Sequence, residues 1–322
     1  MIKKELKRTL KLQKLEALLR RLPSNYPKRH RIEEEYSKCI AGYRGEKSLL
    51  FHLDGIDSKE FIILHDVRLP QDEKYFFQMD TIILSPVFAV ILEIKNMSGT
   101  LCFDQKYNQL LRTQNGREDA FPDPILQLQR QHGNLEKWFE KHKLPPVPII
   151  SYIVISNPST VIKSIPMHSD TIQKKVIHAA KLPGEINKLN KRYKNTVMTN
   201  KDLNRISRLL VRQHAPYDPD VLQTFQVLPS DLLIGVHCTN CGCLPMRRVS
   251  GSWFCMKCHF SSKDAHIESL MDYAMLIETS ITTKETLKFL MLASNSSASR
   301  ILKSLNLPYT GTYKNRRYQL PK

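Results

Sequence analysis

The stretch that decides the fold is QMDTIILSPVFAVILEIKN, residues 78–96. Its two apolar runs predict two β-strands joined by a tight turn around Pro86. Side chains alternate between the two faces of a strand, so Glu93 and Lys95 point the same way. If the turn consists of two residues, Asp80 on the first strand lies directly opposite Glu93. The sequence therefore predicts two acids and a lysine together at one end of a hairpin.

Two carboxylates at that spacing repel each other, which favours a hard cation between them. Mg²⁺ prefers oxygen ligands and can lower the pKa of a bound water or neutralise charge on a phosphoryl group. Lys95 would then lie beside the metal and stabilise developing negative charge. A plainer interpretation is a surface salt bridge between Glu93 and Lys95. Acids at the end of an otherwise apolar strand are costly unless a site uses them, which favours the metal.

The surrounding patterns predict an α/β domain between about residues 33 and 160. Helices are predicted over 33–53 and 123–142, and strands over 60–69 and 147–156. The last of these strands is apolar along its length, as expected for a strand covered on both faces. A further strand near 175–180 and helices near 183–213 complete or extend this domain.

Asp80, Glu93 and Lys95, taken in sequence order, resemble the D…(D/E)-x-K core of the restriction-endonuclease-like nucleases, the PD-(D/E)xK superfamily. Within that superfamily the chain is most similar to the nuclease-related domain, NERD. Three further stretches carry the resemblance, which covers roughly residues 36–160: GYRGEKSL at 42–49, FPDPILQLQRQ at 121–131 and VPIISYIVISN at 147–157.

The resemblance implies an α/β/α core around a mixed sheet and phosphodiester cleavage dependent on Mg²⁺ or Mn²⁺. It implies that Asp80 and Glu93 hold the metal and that Lys95 serves the attacking water. Glu46 would complete the acidic cluster, and Gln127 would line the site.

Two positions depart from the family pattern in the predicted helix that follows the hairpin. Asp123 stands where Asn is usual, and Gln131 stands where His is frequent, with His132 beside it. These departures concern the role of the helix and leave the Asp-Glu-Lys core intact.

Charge is the strongest global feature of the chain. It carries 49 Lys and Arg against 31 Asp and Glu, a net charge of +18. Such an excess favours polyanions, meaning nucleic acid or an anionic membrane surface, and DNA is the expected partner ahead of RNA. No apolar run is long enough to cross a bilayer and no secretion signal is recognisable, so we expect a cytoplasmic protein.

Two Cys-x-x-Cys pairs predict a zinc ribbon with structural Zn²⁺. Cys238 and Cys241 form the first pair, Cys255 and Cys258 the second, and a hairpin turning at Ser250-Gly251 would bring them together. Arg247 and Arg248 on that hairpin favour nucleic acid as the partner of the ribbon.

The last sixty residues resemble a helix-turn-helix followed by a basic ribbon. Helices are predicted over 282–292 and 297–305. Arg300 and Lys303 would face a nucleic-acid groove, and Lys314, Arg316 and Arg317 would contact phosphates. A small helical packing module is the alternative, because paired helices with a short turn are common.

The sequence thus predicts a basic N-terminal helix at 1–32, a nuclease-like domain at 33–215, a linker at 216–233, a zinc ribbon at 234–264 and a helix-turn-helix-like module at 265–322. The N-terminal helix could pack on the main domain, contact DNA or lie on a membrane surface. Three functions stay open: a targeted metal-dependent nuclease, a nucleic-acid scaffold that does not cut, and a regulator that binds other proteins or membrane. A homodimer is also left open.

Overall fold

The computed structural model describes residues 1–56 and 61–321, without the side chain of Lys314. The chain divides into two compact units. Unit 1 contains Met1–Arg8 and Ile40–Tyr217, and unit 2 contains Thr9–Cys39 and Asp218–Lys322. In the described residues no helix is both long enough and apolar enough to cross a membrane. The finer domain division stays a prediction.

The secondary structure alternates between helices and strands in unit 1 and is mainly helical in unit 2. The helices are α1 (Leu10–Arg21), α2 (Arg29–Asp54), α3 (Pro124–Lys141), α4 (Asp170–Lys175), α5 (Leu182–Arg192), α6 (Asn200–Gln213), α7 (Val221–Phe225), α8 (Ala265–Leu276), α9 (Thr283–Phe289) and α10 (Asn295–Ser304). The strands of unit 1 are β1 (Ile2–Lys4), β2 (Ile62–Pro70), β3 (Phe76–Leu84), β4 (Ala89–Lys95), β5 (Thr100–Asp104), β6 (Gln109–Gln114), β7 (Arg117–Pro122), β8 (Ile149–Ile155), β9 (Val161–Ile165) and β10 (Val176–His178). Those of unit 2 are β11 (Arg247–Val249), β12 (Ser252–Phe254), β13 (Ser261–Ser262), β14 (Ser280–Thr282), β15 (Tyr309–Thr310) and β16 (Arg317–Gln319).

The main sheet of unit 1 has the strand order β1-β2-β3-β4-β8-β10. It is mixed, because β3 runs antiparallel to both neighbours whereas β4, β8 and β10 are parallel. Apolar side chains of α3 and α6 pack on one face, and those of α2 and α5 pack on the other. Strands β4 and β8 are apolar because helices cover both faces of the sheet. The α/β/α fold predicted from the sequence is therefore confirmed.

The hairpin of β3 and β4 has the register that the sequence predicts. The Ser85 amide donates to the carbonyl oxygen of Phe88 at 2.9 Å, which makes Pro86-Val87 the two turn residues. Thr81 pairs with Leu92 at the other end of the ladder. The next two residues outward are Asp80 and Glu93, so these acids lie on facing positions of adjacent strands.

A second sheet, with strand order β7-β6-β5-β9, was not predicted from the sequence. Its strands are short and mix polar with apolar residues, which weakens the alternation signal. Asn115 and Gly116 both adopt positive φ at the turn between β6 and β7. An Asn-Gly pair is a strong signal for this kind of hairpin turn, so the sequence did contain a usable indication.

The N-terminal segment differs from the single basic helix predicted at residues 1–32. Ile2–Lys4 form strand β1, which pairs in parallel with β2, and α1 begins only after Thr9. The Thr9 hydroxyl accepts a hydrogen bond from the Leu12 amide, which defines the start of the helix. Apolar residues of α1, including Leu15 and Leu18, are buried in a core of unit 2. This helix is therefore a packed element of its unit.

A buried ion pair connects α1 to α8 within unit 2. Arg21 and Asp272 are both only 1% exposed, and Arg21 Nε lies 2.8 Å from Asp272 Oδ2. The guanidinium also donates to the carbonyl oxygen of Gly235 at 2.7 Å. Removing one partner of such a pair leaves a buried charge uncompensated, which destabilises strongly.

The segment predicted as a linker, 216–233, is also packed in unit 2. It contains α7, and Val221 and Phe225 are buried in the same core as Leu18. Asp220 caps this short helix through the Gln223 amide. The prolines that suggested a linker flank the helix and do not interrupt it.

The C-terminal part of unit 2 has the predicted hairpin and helix pair. Strands β11 and β12 pair around Ser250-Gly251, which both adopt positive φ. Helices α9 and α10 follow each other closely, and β16 pairs with both β14 and β15.

Candidate functional site

The carboxylates of Asp80 and Glu93 lie at the carboxyl end of β4. Asp80 Oδ2 accepts a hydrogen bond from the Ile94 amide at 2.8 Å, which fixes the carboxylate against the neighbouring strand. Asp80 is partly exposed, whereas Glu93 is only 3% exposed. One acid can thus be reached from solvent while the other is enclosed by protein.

Glu93 is bound through both of its oxygens. Oε1 accepts from Lys95 Nζ at 2.6 Å and from Gln127 Nε2 at 2.8 Å, and Oε2 accepts from Gln131 Nε2 at 2.6 Å. Lys95 Nζ also donates to Gln127 Oε1 at 3.1 Å. The ion pair of Glu93 and Lys95 is therefore part of a partly buried network, which differs from the exposed salt bridge that the sequence left open.

Helix α3 supplies the side-chain amides of Gln127 and Gln131, and the start of this helix is fixed by a capping residue and a proline. The Asp123 side chain accepts from the Ile125 amide at 2.8 Å, and Pro124 occupies the first turn. Gln127 and Gln131 are four residues apart and therefore lie on one face of the helix. Asp123 thus acts as a helix cap, and Gln131, a departure from the family pattern, contacts Glu93. That contact was not predicted from the sequence.

Helix α2 brings Glu46 to the same site through a close approach at Gly45. A β-carbon at Gly45 would lie 2.4 Å from the β-carbon of Asn96, which follows β4. Asn96 also donates to the carbonyl oxygen of Ala41 at 2.8 Å. Only glycine permits this contact, so Gly45 sets how closely Glu46 approaches the strand ends.

Excess negative charge is the main electrostatic property of the cluster. Burial raises the pKa of Glu46 to about 7, and Asp66 and Glu93 add to the effect. Burial, followed by Glu93 and Glu46, also raises the pKa of Asp80 well above its ordinary value. The site therefore holds more carboxylates than its own cations neutralise.

Asp66 and Lys4 also lie near the acidic cluster, and the sequence did not lead us to predict them there. Asp66 has a φ of 50° within β2, and burial raises the pKa of its carboxyl group. Lys4 Nζ donates to the carbonyl oxygens of His65 and Asp66, each at 2.8 Å. Their proximity depends on the pairing of β1 with β2 across about sixty residues of sequence, so no local pattern indicates it.

The donor set suits a hard divalent cation, because all of its candidate ligands are carboxylate oxygens. Each oxygen of Glu93 already accepts from protein groups, but a carboxylate has about four lone-pair sites in total. Across residues 1–56 and 61–321, no three carboxylates lie within 4.8 Å of one another. A two-carboxylate site that keeps several waters is thus what the geometry allows.

The four predicted zinc ligands do come together in unit 2. The sulfurs of Cys238, Cys241, Cys255 and Cys258 all lie within 4.8 Å of one another. Two of the sulfur–sulfur distances, Cys238–Cys258 and Cys241–Cys255, are 3.6 Å. Tetrahedral zinc with bonds of about 2.3 Å separates its sulfurs by about 3.8 Å. The cluster could therefore bind zinc with little rearrangement.

The basic side chains predicted to contact nucleic acid differ in their exposure and in whether acidic residues neutralise them. Arg247, Arg248, Arg300 and Lys303 are exposed, and Arg300 is close enough to lower the pKa of Arg248, after burial. Arg316 stacks over the Tyr309 ring at 4.2 Å, and Arg317 lies 3.0 Å from Glu278 and 3.6 Å from Glu285. Arg317 is thus neutralised by acids within its unit. The prediction for Lys314 falls on a side chain outside the described part.

Replacing Glu46 by Gln should change the pH dependence of stability. The folded protein holds the Glu46 proton up to about pH 7, against an ordinary pKa of 4.5. The free energy of unfolding should therefore fall as pH rises from 4.5 towards 7, on the order of 2 kcal/mol from this group. Glu46→Gln should flatten that decline in urea unfolding measured without added magnesium. The exposed Glu73→Gln is the control, and coincident profiles for Glu46→Gln and wild type would contradict the assignment.

Removing one cysteine of the cluster should remove the zinc. We expect purified protein to contain about one zinc per chain, and Cys258→Ser to lose most of it, because three thiolates bind less tightly than four. Cys243→Ser is the matched control, since that sulfur is outside the four-cysteine group. Elemental analysis of the metal content distinguishes these results. Equal zinc in both variants would rule out the four-cysteine site.

Comparison with known proteins agrees with this geometry. The family model of the nuclease-related domain matches residues 41–156, just over a third of the chain. An uncharacterized protein of Bacillus anthracis is 22% identical over 171 residues, which cover 53% of this chain and 76% of that protein. No solved structure matches. The match to the nuclease-related domain thus covers residues 41–156, and this range contains the hairpin that carries Asp80 and Glu93.

Proposed function

We propose that the protein is a metal-dependent nuclease that hydrolyses phosphodiester bonds, with DNA as the expected substrate. The observation that carries the proposal is the placement of Asp80, Glu93 and Lys95 within a nuclease-related domain. Two facing carboxylates and one ammonium group, supported by the amides of α3, supply the groups that phosphodiester hydrolysis requires.

Asp80 and Glu93 would hold Mg²⁺ or Mn²⁺, which supplies an activated water and neutralises charge on the phosphate when bound. Glu46 adds negative charge nearby, and Lys95 is held in place by its hydrogen bonds to Glu93 and Gln127. Its ammonium group can position a water and stabilise negative charge on the phosphate oxygens. Gln127 and Gln131 hold the Glu93 carboxylate in one orientation.

The test is cleavage of supercoiled and linear DNA by wild type, Glu93→Ala and Lys95→Ala, with Mg²⁺, with Mn²⁺ and with neither. Both variants should lose about 10²-fold or more of the activity, because each removes a group that acts on the reacting phosphate. Omitting the metal is preferable to adding a chelator, since a chelator would also remove zinc from the cysteine cluster.

The matched controls are Glu140→Gln and Lys141→Ala, an exposed acid and an exposed lysine near the end of α3. They should cut like wild type. Activity that survives in Glu93→Ala and Lys95→Ala, or that does not require a divalent metal, would contradict the proposed site.

We propose further that the exposed basic residues of unit 2 bring the protein to nucleic acid. Arg248 on the zinc hairpin and Arg300 on α10 are near enough to affect each other electrostatically, so the hairpin and helix present charge together. Neighbouring cations to which the described residues supply no acidic partner suit a phosphate backbone.

Arg300→Ala should weaken DNA binding and reduce the salt dependence of the affinity by about one phosphate contact. Lys263→Ala removes an exposed charge of the same unit outside α10 and the hairpin, and it should change the salt dependence less. Fluorescence anisotropy at several salt concentrations measures both. The same slope for wild type and Arg300→Ala would exclude this contact.

A scaffold that binds nucleic acid without cutting it is the second candidate. It is favoured by the network around Glu93, in which each carboxylate oxygen accepts a hydrogen bond from a protein group. Salt-dependent DNA binding by wild type, with no cleavage of DNA or RNA in either metal, would select the scaffold.

A further inference from the structure

A cavity of about 240 Å³ lies in unit 1 on the other side of α3 from Gln127 and Gln131. Helix α3, strand β8 and helix α4 border this half-open cavity, and its lining includes Leu128, Gln129, His132, Ser151, Thr171 and Lys175. None of the five predicted catalytic residues lines it. The cavity is therefore a feature of unit 1 that is separate from the candidate catalytic site.

Lys175 is the one lysine among the described residues that line this cavity, and its ammonium group contacts a neutral partner. It is half-buried, and its ammonium group donates to the Ser151 hydroxyl at 3.1 Å. Ser151 is itself only 1% exposed, so the ammonium group reaches from the half-buried Lys175 to a buried hydroxyl. The neighbouring Lys174 lies 3.4 Å from Asp170 in an exposed pair. Two adjacent lysines thus differ: one has an acidic partner and one has a neutral hydroxyl.

The charge of Lys175 is not compensated by the cavity. No aspartate or glutamate is among the described residues that line it. The His132 ring is directed to Glu136, 3.3 Å away and outside the lining. Burial lowers the pKa of Lys175, and no acid opposes this effect. An anion that joined this partly buried cation would restore part of the electrostatic stabilisation that burial removes.

We propose that this cavity binds a phosphate group. Lys175 would supply the positive charge, and the hydroxyls of Ser151 and Thr171 and the amide of Gln129 would supply polar contacts. Lysine binds phosphate as a point charge, and such charge-assisted hydrogen bonds are strong. The volume is below the roughly 300–1,000 Å³ of pockets for drug-sized ligands, which restricts the occupant to a phosphate or a small phosphorylated group. The proposal does not depend on DNA cleavage.

The test is calorimetric titration of the full chain with inorganic phosphate, without added divalent metal and with chloride holding the ionic strength constant. Lys175→Met should weaken saturable phosphate binding about tenfold or more, since it removes the cation and keeps most of the apolar side chain. Ser151→Ala should weaken it less. Lys174→Met is the matched control and should bind like wild type, which accounts for phosphate attracted to other basic surfaces.

The phosphate could come from a free ligand or from a nucleic-acid strand, and two further titrations separate these sources. One uses a 5′-mononucleotide and the other a short single-stranded oligonucleotide without terminal phosphates. Weaker binding of the mononucleotide alone by Lys175→Met assigns a free ligand, and weaker binding of the oligonucleotide assigns a backbone phosphate. No saturable phosphate binding in wild type, or equal binding by Lys175→Met and Lys174→Met, would overturn the proposal.

Discussion

The candidate site depends on the register of a single hairpin. Because Pro86-Val87 form a two-residue turn, Asp80 and Glu93 occupy facing positions on adjacent strands. A shift by one residue would turn every side chain of a strand to the opposite face and would place Glu93 among the apolar residues under α2 and α5. The apolar residues of β3 and β4 that fill both cores exclude that shift. Packing of the sheet thus holds two like charges together, against their mutual repulsion.

The helices on either side have opposite effects on the charge of this site. Helix α3 supplies Gln127 and Gln131, whose amides satisfy the buried Glu93 carboxylate. Helix α2 instead adds a third acid, Glu46, by its close approach at Gly45. One helix therefore stabilises the charge that the hairpin places there and the other increases it. Burial, with added effects of Asp66 and Glu93, raises the pKa of Glu46 to about 7 even in a chain of strongly positive net charge.

Local signals were sufficient for the parts of the site within one hairpin or one helix. The pairing of Asp80 with Glu93 follows from alternation and a short turn, and the cysteine cluster follows from spacing. The contact of Gln131 with Glu93 requires the rotation of α3 about its axis, which packing determines. Lys4 depends on a strand pairing between distant segments. Arg317 has the sequence features of a phosphate contact, but the distant acids Glu278 and Glu285 neutralise it.

The net charge of the chain is +18, but the acids around Glu93 form a locally acidic site. Under the proposed function, the exposed arginines of unit 2 would attract a polyanion, whereas the acids around Glu93 would repel a phosphate until a cation offsets them. Under the proposed function, cation and phosphate would each favour binding of the other at the acidic site, because each reduces the repulsion that opposes it. Lys95 alone cannot replace the cation, since its single charge is already paired with Glu93. Under the proposed function, binding of nucleic acid by the basic residues and its entry into the acidic site would be separable steps, and only the second would depend on the metal.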